Sequence, residues 1–204
     1  MKFAVGTKQY MTQVFDEKGI AYPVTVIAVA PMQITQIKTK EKDGYTAVQI
    51  GAGAKKESKV NKAQKSKGNF NVFKEFRMDD TSAHTVGEAI TASTFAVGDV
   101  VEVAGITKGK GFQGVVKRHG FHGGSRTHGQ KHSEREPGSI GGAGRAGGRV
   151  VLGMRMGGRM GGDRVTVKNL KVIQIDAENG YVLVSGAVPG RRGTQIELTA
   201  SRSK

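Results

Sequence analysis

No cysteine occurs among the 204 residues, so disulfides and thiolate zinc sites are excluded and a reducing compartment is suited. Aromatic residues make up only 6% of the chain, and hydrophobic residues 37%, too few to give every part of it a core. Long apolar runs are missing as well. The longest, from Val24 to Met32, is interrupted by Thr25 and Pro31, far short of the roughly 20 residues that span a bilayer as a helix. No apolar stretch follows Lys2, so a signal peptide is not expected, and the expectation is a soluble cytoplasmic protein. There is no amphipathic basic helix of the kind that holds proteins on anionic membranes. The phosphate-binding pattern G-x-x-x-x-G-K-[ST] is absent. No Ser-His-Asp set or carboxylate pair stands out, and Glu134 and Glu136 flank Arg135, where internal charge pairing is the simplest account.

What the chain has in excess is positive charge: 32 Lys and Arg against 17 Asp and Glu, a net charge of +15 and a pI near 10.1. Such self-repulsion is relieved by a polyanion, and nucleic acid is the commonest one.

The apolar residues gather toward the two ends in patterns that read as strands. Val24 to Val29 is a β-branched run fitting a buried strand, separated from Met11–Phe15 by the turn Glu17-Lys18-Gly19. Ile34–Thr39 and Tyr45–Gly51 form a second pair across Lys42-Asp43-Gly44, a strong turn signal. Residues 55–70 are lysine-rich with few apolar anchors, a short helix ended by Gly68 or a mobile arm. Phe73, Phe76 and Met78 are candidate core, and Phe95–Asp99 is a turn feeding the strand Val100–Gly105, which Val115-Val116 extends. Val165–Val167, a hairpin over Leu170–Val184 and a short strand at Gln195–Leu198 complete the pattern. The fold class expected is mainly β (α+β), a small barrel or sandwich split by a long excursion. The expected organisation is one domain, with a barrel core from 1–54, 71–116 and 165–199, a basic insertion at 55–70 and an extended RNA-binding loop at 117–164.

The excursion carries the function. Residues 108–164 hold 12 Lys or Arg against 3 Asp or Glu, and 18 of the 31 glycines. A stretch like this buries too little to offset its ordering entropy, which points to a loop ordered by embedding in RNA. Arginine offers a planar fork for phosphate and a surface that stacks on bases. Glycine lets backbones approach one another. Arg155, Arg159 and Arg164 are placed to meet phosphates while Met154, Met156 and Met160 fill irregular gaps. Gly109–Gly114 matches G-x-G-x-x-G, but a dinucleotide site needs a helix starting inside the motif, and the residues that follow, VVKRHGFHGGSRTHG, do not read as one. His119, His122, His128 and His132 lie close together, yet their glycine-rich surroundings give no rigid metal frame. Contact with phosphates or bases is the better account. No metal and no cofactor are expected.

The string FAVGDVVEVAGITKGKGFQGVVKRHGF carries Phe95, Glu102, Gly105, Thr107, Gly109-Lys110-Gly111, Gly114 and Arg118 at spacings that resemble the signature of the universal large-subunit ribosomal protein L-three family, bacterial type. Met11–Phe15, Pro23–Val26, Ile37–Gly51, Pro137–Gly141, Met160–Thr166 and Gly186–Gly190 are similar to further parts of that family, so the resemblance covers essentially the whole chain and is weakest at 55–93. It implies a β-barrel related to translation-factor barrels, a small helical insertion, and a long basic Gly/Arg-rich loop that penetrates RNA toward the peptidyl transferase centre. It implies a structural, non-enzymatic protein that binds large-subunit ribosomal RNA, supports early assembly, and touches neighbours of the L-fourteen and L-nineteen families. The rRNA-binding residues so assigned are Lys108, Lys110, Lys117, Arg118, His119, His122, Arg126, His128, Lys131, His132, Arg135, Arg145, Arg149, Arg155, Arg159 and Arg164. The loop tip near the catalytic centre is Gly138, Ser139, Ile140, Gly141, Gly142, Ala143, Gly144 and Arg145. The competing reading is a free RNA chaperone or architectural nucleic-acid-binding protein.

Two residue patterns depart from the family. Tyr10 stands where glycine is usual before Met-Thr-Gln, which bears on the local turn. The segment Gly138–Val150 contains no glutamine, the residue that many bacterial relatives carry methylated, and is one residue longer than the usual tip. The tip peptide is therefore expected to have its unmodified mass in an intact-mass measurement, and an added methyl group there would overturn the expectation.

Overall fold

The computed structural model describes residues 2–142 and 147–200. In chain order its elements are β1 (Phe3–Phe15), β2 (Ala21–Val29), β3 (Met32–Lys38), α1 (Lys40–Asp43), β4 (Ala47–Ala54), β5 (Phe70–Arg77), β6 (Ala89–Ile90), β7 (Val100–Ile106), β8 (Phe112–Gln113), α2 (Val115–His119), β9 (Gly158–Arg159), β10 (Arg164–Asp176), β11 (Tyr181–Ser185) and β12 (Gln195–Ala200). The chain is mainly β, with few helical residues. It divides into two units: the segment up to Ile106 together with the segment from Arg164 onward, and the excursion Thr107–Asp163.

In the first unit, six strands close into a barrel in the order β1-β12-β7-β10-β11-β2, every neighbour antiparallel. The remaining strands form a second antiparallel sheet in the order β5-β4-β3-β6. The barrel core expected over 1–54, 71–116 and 165–199 therefore divides: the strands within 32–54 and 70–90 belong to the second sheet, and 107–116 lies outside the barrel. The break falls at Ala30-Pro31, because proline has no N–H with which to continue a ladder and the next strand starts afresh at Met32. Both sheets contribute to one cluster of buried side chains, with Phe3, Ile27, Val103, Val182 and Ile196 from the barrel and Met32, Ile34, Val48 and Ile50 from the sheet. Phe3 of β1 stacks on Phe76 of β5 at 4.8 Å between ring centroids, joining the two layers directly. Of the three predicted core residues near it, Phe76 and Met78 are buried and Phe73 is half-buried.

Strand β4 is buried from Ala47 to Ala52, with Val48, Ile50 and Ala52 in the core cluster and Gln49 in a polar network on the other face. Gln49 accepts from Thr35 and from the Lys67 ammonium (3.0 Å) and donates to Glu75. The Lys38 ammonium bridges to Glu75 at 2.9 Å and donates to Tyr45, which holds it above the usual lysine range. The segment 55–70 is neither a regular α-helix nor a free arm. It makes two 3-10 turns, Glu57–Lys59 and Lys62–Lys67, the second ended at Gly68 as expected, with Val60 buried and Lys67 tied to Gln36 and Gln49. A lysine-rich segment with one apolar anchor docks here because acceptors on the sheet receive its terminal ammonium.

Tyr10 occupies a register shift between Lys8 and Met11, with its side chain exposed and its backbone outside the left-handed region, so the bulge there has no need of glycine. A second bulge in β10, between Val167 and Leu170, places Asn169 at φ +59°, a conformation asparagine tolerates better than most residues. At Gly6 there is no such freedom. A Cβ there would stand 2.7 Å from both the Ala28 carbonyl oxygen and Ile27 Cγ2. Gly6→Ala is therefore expected to lower stability by about 1–3 kcal/mol through overpacking, read as a reduced urea midpoint. A wild-type midpoint would mean that β1 and β2 separate there without cost.

Candidate nucleic-acid interface

The excursion is built as two antiparallel legs. The Thr107 N–H donates to the Asp163 carbonyl (2.9 Å), and the Asp163 N–H to Thr107 Oγ1 (3.2 Å). Farther out, the Lys110 N–H meets the Met160 carbonyl and the Met160 N–H meets the Gly111 carbonyl, at 2.9 and 3.0 Å. β8 then pairs with β9, setting Phe112 opposite Arg159 and Gln113 opposite Gly158. Glycine is required where the legs come closest: Gly161 has φ +75°, and a Cβ on it would collide with the Lys108 carbonyl.

Beyond the ladder lies α2. The sequence from Val115 onward predicts no helix, with Val115-Val116 extending a strand. Instead, Val115–His119 is helical, and Gly120, at φ +74°, ends it by donating to the Val115 and Val116 carbonyls. A left-handed glycine cap confines the helix to five residues. This does not restore a dinucleotide site, because every strand pairing among the described residues is antiparallel. Arg118 and His119, both half-buried, turn onto the Met156 carbonyl at 2.9 and 3.0 Å and tie the helix to the returning leg. Gly158 makes room for this, since a Cβ on it would overlap the Arg118 guanidinium.

The next segment folds back on itself. The Gly124 N–H reaches the Ser133 and Glu134 carbonyls, and Arg126 pairs with Glu134 at 2.6 Å. His119, His122 and Arg155 are brought to one cavity of about 500 Å³, with Glu136 as its single carboxylate. Arg126 and Lys131 line another of similar size with Glu134. Val115 is the one fully buried apolar side chain among the described residues of the excursion.

The predicted contact residues therefore fall into two groups. Arg118, His119, Arg126 and Arg164 have protein partners. Arg164, at the start of β10, shares Glu197 with Lys74, at 2.5 and 2.7 Å. Lys108, Lys110, Lys117, His122, His128, Lys131, His132, Arg135, Arg149, Arg155 and Arg159 are exposed and have no side-chain partner among the described residues. His128 stands at φ +58°. Of the tip, Gly138, Ser139, Ile140, Gly141 and Gly142 are described, with the Gly141 N–H donating to Ser139 Oγ. Ala143, Gly144 and Arg145 lie outside the described residues. Sequence reasoning passes over Phe112, which is 79% exposed in register with Arg159, and Leu152, which is fully exposed. An aromatic residue alone in a Gly/Lys run is the available signal for Phe112.

Residues 45–181 match the family model described as Ribosomal protein L3. The chain is similar to proteins named large ribosomal subunit protein uL3. One, from Desulfitobacterium hafniense (strain Y51), is 48% identical over 206 residues, covering 98% of this chain and 96% of that protein. Another, from Rhodococcus erythropolis (strain PR4 / NBRC 100887), is 52% identical, covering 95% and 91%. A third, from Nostoc sp. (strain PCC 7120 / SAG 25.82 / UTEX 2576), is 44% identical, covering 97% and 96%.

Burial works against the charge of Glu197, but hydrogen bonds from Lys74 and Arg164 outweigh it and hold the carboxyl below the usual glutamate range. A group held low in the folded state stabilises above its unfolded value, about 4.3, and the gain is lost as the pH falls through the folded value. Glu197→Gln is thus expected to lower the melting temperature at pH 7, with the gap to wild type shrinking below about pH 4. A gap of the same size at pH 3 would assign the loss to packing rather than charge.

Proposed function

Because the chain belongs to the ribosomal protein L3 family, a family of structural rather than enzymatic proteins, we propose that it binds large-subunit ribosomal RNA directly, supports early subunit assembly, and sends its excursion toward the peptidyl transferase centre. As a member of that family it is a constituent of the large ribosomal subunit, in the cytoplasm. The observation that carries the finer reading is the state of the excursion's cations. Eleven of the assigned contact residues are exposed without a side-chain partner among the described residues, on a segment whose legs are zipped by backbone bonds. Exposed cations on a pre-shaped backbone suit phosphates that replace their counterions. Phe112, beside Arg159 in register, suits stacking on an unpaired base. The tip, Gly138 to Arg145, is the part assigned to the neighbourhood of the catalytic centre. The barrel is read as translation-factor-like, and proteins of the L-fourteen and L-nineteen families as its neighbours.

Two measurements test this. In a gradient of cell lysate at moderate salt, the chain is expected to sediment with the large subunit at one copy each and to resist a salt wash. A free monomer at the top of the gradient would favour the RNA-chaperone reading. In binding to purified large-subunit rRNA, each phosphate contact contributes roughly 0.7–0.9 to the log–log salt slope. Replacing Lys110, Arg155 and Arg159 by alanine is expected to flatten that slope by about 2–3. Arg164→Ala, whose guanidinium is held by Glu197, is expected to change it least. An unchanged slope in the triple variant would turn those three side chains away from RNA.

A further inference from the structure

Away from the excursion, the first unit holds a cavity of about 490 Å³ whose lining contains no charged residue. That is within the range of roughly 300–1,000 Å³ usual for small-ligand pockets. Such neutrality is unusual in a chain of net charge +15. Its floor is apolar and buried, from Val5, Gly6, Val29 and Ala52. Its walls carry three amides, Asn71, Asn179 and Gln195, beside the exposed ring of Tyr181.

The hydrogen-bonding capacity of those amides is partly unspent. Gln195 Nε2 is buried with no partner, the one such side-chain atom among the described residues. An unpaired buried donor is costly and calls for an explanation. Asn179 gives its Nδ2 to Asp176 at 2.7 Å, which leaves its carbonyl oxygen as an acceptor. Asn71 makes no side-chain hydrogen bond among the described residues and offers both. Amide side chains around an apolar slot, with an aromatic ring at its side, match a neutral planar heterocycle.

Charge is found instead on the turn that adjoins the lining at Gly193. The turn leading to Gln195 is pinned by the Lys8 ammonium on the Val188 and Gly190 carbonyls and by the Gly193 N–H on the Lys8 carbonyl. It carries Arg191 and Arg192, both exposed. A neutral slot with two arginines on the adjoining turn has the charge pattern of a nucleotide: base inside, phosphate at the edge.

We infer that this pocket receives one extruded nucleobase of large-subunit rRNA, hydrogen-bonded by Gln195 and the two asparagines and flanked by Tyr181. The inference rests on the rRNA-binding reading above but concerns a different surface.

The test uses large subunits carrying the full-length chain as wild type, Gln195→Leu, or Ala30→Trp, an exposed lining position where the indole fills the opening. Base reactivity of the rRNA is mapped chemically, and occupancy of the chain is measured in the same particles. Removing an unpaired amide is not expected to lower the melting temperature of the free protein. In the particles, one and the same nucleotide should gain base reactivity in both variants at unchanged occupancy. Affinity of the Gln195→Leu chain for purified large-subunit rRNA should fall about two- to tenfold, the loss of one hydrogen bond. No change at any base with full occupancy would overturn the pocket assignment while leaving the ribosomal role intact. So would a photo-crosslink from Tyr181 to a protein rather than a nucleotide. Absence of the wild-type chain from the particles would instead remove the role itself, and the pocket assignment with it.

Discussion

Closure of the barrel depends on space kept free by glycine at two of its seams. Ile196 of β12 stands in register with Gly6 of β1 on one side and Gly105 of β7 on the other. A Cβ on Gly105 would come within 2.9 Å of Ile196 Cδ1, and one on Gly6 would press on Ile27, which is itself fully buried. Without these two glycines, β7 would be held off β12 and β1 off β2, and a ring opened at either seam is a sheet with two unpaired edges. Closure also fixes where the excursion begins and ends. Ile106 and Arg164 face each other across β7 and β10, so the two legs leave from adjacent residues of a closed structure.

Much of the first unit was legible because it obeys simple rules. The β-branched run before Pro31, the Asp43-Gly44 signal and the hairpin over Asp176–Gly180 all fall where the structure turns or pairs. What could not be read was which sheet each strand joins. Alternation tells that a face is buried, not against what, and the division of the strands follows from one missing N–H at Pro31 and from the closure of the ring. The α2 helix escaped notice because it is a single capped turn, held by bonds to Gly120 rather than by any periodic pattern. In the excursion, charge density was plain, but the pairing of individual cations was not. Arg118 finds a carbonyl 38 residues away, and Arg164 a carboxylate 33 residues away. Such partners are set by the fold, and no local pattern announces them.

The acids are placed as unevenly as the bases. In the first unit they hold structure together: Asp99 takes the Lys2 ammonium at 2.7 Å and the Ala96 N–H, Glu75 takes Lys38, and Glu197 takes Lys74 and Arg164. Hydrogen bonds from those partners hold the carboxyls of Asp99 and Glu75 below the usual range. The excursion has three acids for its cations, and only the Arg126–Glu134 pair is closed among its described residues. The positive field left over is thus concentrated on a segment with almost no apolar burial to oppose it. Its geometry depends on backbone ladders and glycine caps, and a polyanion packed around it would relieve the repulsion that remains.

The two-legged root separates length from register. Pairing between 107–113 and 158–163 is set by contacts within the legs themselves and does not involve the residues beyond them. Residues added or lost at the tip lengthen or shorten the arm and leave every ladder partner in place. A single residue inserted within a leg has the opposite effect. It shifts the pairing by one and turns alternate side chains to the other face, so that Phe112 and Arg159 no longer stand opposite each other. The physical consequence is that the arm's length is set at its tip and its side-chain register at its root, and the two can change independently.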